Sequence, residues 1–269
     1  MDFQVVKSYA TEGGYDFAFL YDSVGNDVLK SKPNWSYMNG DTYYNFAQGF
    51  DKTKAFAGQG GHDKAYLYDS SGDDILEARP ESVQLAGAGF DNYAINFQVV
   101  KSFATGGGYD KAFLYDSAGN DVLKSKPDWS FMKGDDYFNF AQGFDKTKAF
   151  ADQGGYDKAF LYDSAGDDIA YLFADHGRMY GDSFENWAVG FERLKVIANK
   201  SGNDEAIYRE AVMEDALECA GNEAHLRRSL SIQSVFFFEK VEAEAASGHT
   251  PSLELQSIDY VLETLGNWQ

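Results

Sequence analysis

Gly154-Gly155-Tyr156-Asp157-Lys158-Ala159-Phe160-Leu161-Tyr162-Asp163-Ser164-Ala165-Gly166-Asp167-Asp168 decides how this chain folds. From Asp157 to Asp163, charged or aromatic residues alternate with small or aliphatic ones. That is the period-2 signature of a strand with two unlike faces. The glycine pair before it and the Asp-rich run after it are turn signals. The stretch also recurs. Asp22, Asp69, Asp116 and Asp163 each sit in a Tyr-Asp-Ser tripeptide, and 69 − 22, 116 − 69 and 163 − 116 all equal 47. Phe3, Phe50, Phe97, Phe144, Phe191 and Phe238 keep the same register without interruption through Ser247. A longer period of 94 lies on top: residues 3–50 and 97–144 differ at 9 of 48 positions, and 50–75 and 144–169 at 4 of 26.

Near-identical units in strict register describe a stack in which each unit contacts its neighbours. Phe144 to Ala151 alternates as well. The expected fold is therefore an all-β parallel β-helix, a β-solenoid, over residues 1–247. Each 47-residue unit reads as two coils of about 23 residues. At about 4.8 Å per stacked strand, roughly ten coils span about 50 Å. Thr147, Ala149 and Ala151 recur as Val100, Ser102, Ala104 and as Leu194, Val196, Ala198; Ala159 and Leu161 recur as Ala112 and Leu114. These small and aliphatic columns are expected inside. The alternate positions carry Lys146, Lys148 and Phe150, so they are expected outside.

The fifth unit is degenerate. Glu205 to Ala220 is rich in helix formers, yet Asp204, Glu210, Glu214 and Asp215 stay on the acidic columns, and the register argues for strands. Residues 248–269 differ in kind. Thr250-Pro251 is a helix-start signal, Leu255, Ile258, Leu262 and Leu265 share a helical face, and Gly266 can stop it. A short C-terminal capping helix is expected there.

The pattern Gly-Gly-x-Asp-x-Ala-x-Leu-Tyr-Asp-Ser-x-Gly-Asp-Asp resembles tandem repeats of very large secreted proteins of planctomycetes, cyanobacteria and related marine bacteria. The resemblance covers residues 3–247. It implies an extracellular or cell-surface solenoid and no defined activity. The Gly-Gly-x-Asp element is also distantly similar to calcium-binding RTX repeats, without their third glycine and with a period of 47 rather than nine. That similarity makes calcium the candidate cofactor.

Bulk properties narrow the partners. The net charge is −20, from 43 acidic and 23 basic residues. Nucleic acid and anionic lipid are disfavoured, because both need clustered Lys and Arg. Hydrophobic content of 44% excludes wholesale disorder. No apolar run approaches the 18 or so residues of a membrane span. Cys219 is the single cysteine, so no internal disulfide is expected. Met1 opens directly into repeat sequence, so the chain reads as a fragment without a signal peptide.

Two sets of columns are candidate sites. The acidic columns are Asp16, Asp63, Asp110 and Asp157, then Asp22, Asp69, Asp116 and Asp163, then Asp27, Asp74, Asp121 and Asp168. They suit calcium, which takes oxygen ligands, or they bond the amides of turns, as Asp commonly does. The aromatic columns are Tyr9, Phe56, Phe103 and Phe150, then Phe19, Tyr66, Phe113 and Phe160, then Tyr21, Tyr68, Tyr115 and Tyr162. Outward ladders of this kind suit self-association or stacking on sugar rings. The other reading is that loops such as Ser125 to Lys133, carrying Trp129 and Phe131, fold back over them. No Gly-x-Ser-x-Gly, His-Glu-x-x-His or Walker motif is present. Asp175, His176, Arg178 and Tyr180 form the best unrepeated cluster, at the columns of Glu81, Ser82, Gln84 and Ala86. The expected function is a non-enzymatic extracellular structural or adhesive module that associates with itself or with neighbouring repeats. The alternative is a carbohydrate-binding or polysaccharide-acting module. With an open first strand and a helix-capped end, edge pairing would stop at a dimer.

Overall fold

The structure, a computed structural model, describes residues 4–269; Phe3 lies outside the described residues. Every regular element among them is a strand. The chain divides into two compact units. One holds residues up to Asp116 together with Trp129–Lys146; the other holds Ser117–Asp128 with Thr147–Gln269.

The first unit begins with β1 (Gln4–Tyr9), β2 (Phe17–Tyr21), β3 (Val28–Lys32), β4 (Trp35–Asn39), β5 (Tyr43–Gln48), β6 (Lys52–Phe56) and β7 (Lys64–Tyr68). It continues through β8 (Ile75–Ala78), β9 (Ser82–Gly87), β10 (Phe90–Ile95), β11 (Val99–Phe103) and β12 (Lys111–Tyr115). Beyond β13 (Val122–Lys126), which belongs to the second unit, come β14 (Trp129–Lys133) and β15 (Phe138–Gln142). One sheet runs β1-β5-β4-β3-β7-β11-β15-β14 and the other β2-β6-β10-β9-β8-β12.

The path explains both sequence periods. β1 lies in one sheet, β2 in the other, and β3, β4 and β5 lie together in the first as an antiparallel meander. The next repeat starts in the opposite sheet: β6, then β7 across, then the meander β8, β9, β10 back in the sheet of β6. Each 47-residue unit thus makes three passes between the sheets. Three is odd, so two units are needed to return to the starting sheet, and this accounts for the period of 94. Between meanders, strands stack in parallel, coil on coil: β1 on β5, β3 on β7, β7 on β11, β2 and β10 on β6, β8 on β12. The solenoid is as expected, but a unit makes one and a half turns rather than two, because three strands fold into one pass.

The second unit holds β13, β16 (Lys146–Phe150), β17 (Lys158–Tyr162), β18 (Ile169–Leu172), β19 (His176–Gly181), β20 (Phe184–Val189), β21 (Arg193–Ile197) and β22 (Glu205–Ala211). It ends with β23 (Ala216–Gly221), β24 (Glu223–Arg227), β25 (Ile232–Phe236), β26 (Lys240–Ala245), β27 (Ser252–Ile258) and β28 (Val261–Leu265). Its sheets run β13-β17-β21-β25-β24-β23-β27 and β16-β20-β19-β18-β22-β26-β28. The meanders β18–β20 and β23–β25 again fall in opposite sheets.

The inward columns are buried as their alternation predicts: Val100, Ser102, Ala104, Ala112 and Leu114 in the first unit, Thr147, Ala149, Ala151, Ala159, Leu161, Leu194, Val196 and Ala198 in the second. Burying each Leu is worth roughly 1.5–3 kcal/mol. A column of buried amides ties the interior to the ends of strands. Asn92 donates to the Lys32 carbonyl, Asn139 to that of Arg79 and Asn186 to that of Lys126, each at 3.0 Å.

Three expectations are corrected. Ser125 to Lys133 is not a covering loop: Trp129–Lys133 is β14, with Ser130 and Met132 buried. Its first-unit counterpart shows why. Pro33 and Asn34 form a two-residue turn joining β3 to β4, with Lys32 opposite Trp35. Pro pre-sets φ at the first turn position and needs no amide there, so it reverses the strand instead of ending it. Second, the capping helix is absent. Residues 252–258 and 261–265 are strands, and Leu217 pairs with Leu253 and Val241 with Leu262 in parallel register. Stacking on an existing edge overrides a helical spacing of four leucine-class residues. Third, the C-terminal end is therefore not closed by a helix. In the degenerate unit, Glu205–Ala211 is a strand, so register prevails over helix propensity there as expected.

Candidate functional site

The acidic columns lie in the turns that carry the chain from one sheet to the other. Asp63, Asp110 and Asp157 immediately precede β7, β12 and β17; Asp69, Asp116 and Asp163 follow them; Asp74, Asp121 and Asp168 precede the meanders. Asp16, Asp22 and Asp27 hold the same places around β2 and β3. All except Asp16 and Asp22 are buried.

Their oxygens accept backbone amides from the neighbouring coil. The Asp27 amide donates to Asp63 at 2.7 Å, that of Asp74 to Asp110 at 2.8 Å, that of Asp121 to Asp157 at 2.6 Å and that of Asp168 to Asp204 at 2.8 Å. The Gln59 amide donates to Asp22, the Gly106 amide to Asp69 and the Lys200 amide to Asp163. Within each turn, the third Asp accepts the amide and hydroxyl of the Ser that follows the second: Ser23 on Asp27, Ser70 on Asp74, Ser117 on Asp121, Ser164 on Asp168. The glycine pair is what lets coils approach. Gly61 sits at φ +89, and a Cβ there would lie 2.0 Å from the Gly25 carbonyl oxygen.

Stacked carboxylates raise each other's proton affinity. Burial, with Asp74, Asp69 and Asp145 nearby, pushes Asp110 up to about 6. Burial, with Asp168, Glu239 and Asp163 nearby, does the same to Asp204. Asp63, Asp74 and Asp168 are raised too, chiefly by burial. Among the described residues, no group of three or more His, Cys, Asp or Glu is placed to hold a metal ion.

The sequence reading missed a further column. Asp51, Gln98, Asp145, Glu192 and Glu239 accept the amides of Asp16, Asp63, Asp110, Asp157 and Asp204 at 2.6–2.8 Å. Its signal was visible as an acceptor side chain every 47 residues, but its mixed Asp, Gln and Glu membership hid it.

The aromatic columns face outward, uncovered by loops, and most are half-buried by one another. Phe56 stacks on Tyr21 at 5.2 Å and 13°, and on Phe19 at 6.5 Å. Tyr68 stacks on Phe103 at 5.1 Å and 19°, and Tyr9 meets Phe46 at 6.1 Å. Cations take other ring faces: Lys30 and Lys32 over Tyr68, Arg79 over Tyr115, Lys124 and Lys126 over Tyr162, Lys148 over Phe150. In register, Tyr66 lies between Lys30 and Lys101, and Phe160 between Lys124 and Lys195. Phe113 stands beside Glu77. The rings stand on edge like books, so their faces are engaged within the ladder. Tyr9, Phe19 and Tyr21, on β1 and β2, are more than half exposed.

The unrepeated cluster does come together, on the outer face of β18–β20. His176 is sandwiched between Phe173 at 4.6 Å and Trp187 at 5.3 Å, and its Nδ1 lies 2.7 Å from an Asp175 oxygen. That contact holds the Asp175 carboxyl below its ordinary value. The Arg178 guanidinium lies over Tyr171, Tyr180 and Trp187, and its Nε is buried without a hydrogen-bond partner. The matching face of β8–β10 carries Ser82, Gln84 and Ala86 instead. Comparison with protein-family models, curated proteins and solved structures finds no match for the chain.

Proposed function

We propose that this chain is a non-enzymatic structural repeat module of an extracellular or cell-surface protein, associating with copies of itself or with neighbouring repeats. The observation that carries the reading is where the repeated chemistry goes. Carboxylate columns accept the amides of adjacent coils, and ring columns stack on rings and lysines of adjacent strands. Every repeated polar or aromatic device strengthens the stack along its length, which suits a spacer or fibre segment. The extracellular placement rests on the repeat resemblance.

The alternative is carbohydrate binding. Its support is the β18–β20 face, where His176 and Arg178 replace Ser82 and Gln84 of the earlier meander and pack against Trp187, which stands in the column of Tyr93. Passing the protein over immobilised copies of itself and over a panel of neutral and acidic polysaccharides separates the two. Retention on itself and not on glycan is expected. Retention on a glycan that is abolished by Trp187→Ala would replace the structural reading with the alternative.

A further inference from the structure

Among the described residues β1 and β27 each have one neighbouring strand, β5 and β23; the far side of β1 is open, and that of β27 is met by Gln269 alone. All six residues of β1 are exposed, including Val5, Val6 and Tyr9 at 54–55%. On β27, Leu255 is 56% exposed. The Gln4 and Ala10 amides bond to the β5 side, so those of Val5, Lys7 and Tyr9 point to the open edge. Open edges of this length invite another strand.

The repeat states which strand each edge fits. β1 stands 94 residues before β11 (99 − 5), and β11 has a β7-type strand on the side where β1 has none. β27 stands 94 residues after β17 (252 − 158), and β17 has a β21-type strand on the side where β27 has none. Each edge therefore lacks the kind of neighbour that the other provides. Resting on the reading of a self-associating module, we propose that β1 of one copy pairs in parallel with β27 of a second copy of this chain. The internal pairs set the register. Lys64 faces Val99, Ala65 faces Val100, Tyr66 faces Lys101 and Leu67 faces Ser102; Lys158 to Leu161 face Arg193 to Val196 likewise. Carried over, Ser252 faces Val5, Leu253 faces Val6, Glu254 faces Lys7 and Leu255 faces Ser8.

Two features support this partner over others. Val6 and Leu253 fall on the inward column, so the joint buries apolar side chains that now stand at the ends of the stack. Glu254 and Lys7, both exposed, become directly opposed charges, a favourable cross-strand pair. Joining two β1 edges about a twofold instead brings Lys7 toward its own copy. The joint is also weak. Gln269 already bonds Leu253 and Pro251 on the β27 edge and must give way. β28, which pairs with β26 and ends the other sheet, gains no partner from the joint. One sheet is continued and the other is left open, so association is reversible and depends on concentration.

Sedimentation velocity of the whole chain at low salt, over a wide concentration range, tests this. The expected result is open-ended association that falls with added salt. Lys7→Glu and Glu254→Lys should each weaken it about three- to tenfold, and the double exchange should restore it. Circular dichroism checks that each variant keeps its strands. A monomer at every concentration overturns the proposal. So does association that stops at a dimer and responds to Lys7→Glu but not to Glu254→Lys, which would be pairing through β1 alone. Filaments indifferent to both substitutions overturn it while leaving the structural-module reading in place.

Discussion

The Asp74 turn of the first unit and the Asp215 turn of the second occupy equivalent places three repeats apart (215 − 74 = 141), yet their carboxylates have different second partners. Asp74 is fully buried among acids; it accepts the Ser70 amide and hydroxyl, and its own amide donates to Asp110. In the later turn the serine is replaced by Ala211 and the Asp110 equivalent by Pro251. There Asp215 accepts the Val212 amide, and Arg228, its side chain buried, bonds Asp215 at 3.0 Å and donates to the carbonyls of Arg209 and Glu210. The turn survives because something satisfies its buried carboxylate. Amides and hydroxyls suffice where the repeat is intact, and a guanidinium is needed where it is not.

Removing the arginine should break the later turn most severely. Arg228→Leu leaves the buried Asp215 carboxylate with the Val212 amide but no countercharge, and a loss of about 3–5 kcal/mol is expected in denaturant unfolding. Adding Asp215→Asn should recover part of it. In the intact turn, Asp74→Ala strands the Ser70 amide and hydroxyl and should cost about 1–3 kcal/mol. If Asp74→Ala cost as much as Arg228→Leu, the two turns would not differ in kind.

The acid-only turns should also respond to pH. Asp110 and Asp204 sit at about 6, above the ordinary carboxylate value of 3.8. The folded state retains protons that the unfolded chain has already released. The stabilisation is therefore complete below the unfolded value and is lost as pH rises through about 6. The melting temperature should fall between pH 4.5 and 7.5. Asp110→Asn, which keeps an acceptor for the Asp74 amide, should flatten that fall and raise the midpoint at pH 7.5 by about 2–4 °C, if worth about 1 kcal/mol. The smallest effect expected is that of calcium. With most of the turn oxygens engaged by amides and serine hydroxyls, millimolar calcium in place of EDTA should leave the melting temperature unchanged, whereas a rise that saturates with calcium would assign the columns to the ion.

Much of the fold was legible because the stack repeats its own chemistry. Inward columns such as Ala159 and Leu161 could be assigned from alternation and the outward lysines alone. The meander was not legible, because Pro33-Asn34 reads equally as the end of a strand and as a reversal within a sheet. The choice depends on whether a third strand finds an edge, which is a tertiary matter. The C-terminal strands were hidden for a related reason. Leu255, Ile258, Leu262 and Leu265 suit a helix in isolation, and only the waiting edges of β23 and β26 make them strands. Of the candidate sites, the Asp columns were visible as columns, but their partners lie 35 to 37 residues away, a separation set by the coil and not by local motif. His176 and Arg178 could be noticed as departures from the repeat, but the packing of Arg178 on Tyr171 and Trp187 required knowing that β18, β19 and β20 are neighbours.

Residue-resolved hydrogen exchange of the turn amides tests most directly whether the acid columns close coil on coil. Turn amides normally exchange fast. The Asp74 and Asp168 amides, held by Asp110 and Asp204, should instead be protected as strongly as the strand amides of Leu76 and Ala170, and protection at Asp74 should drop in Asp110→Ala. Exchange at Asp74 and Asp168 as fast as in the exposed turn at Gly154, with the strands still protected, would contradict it.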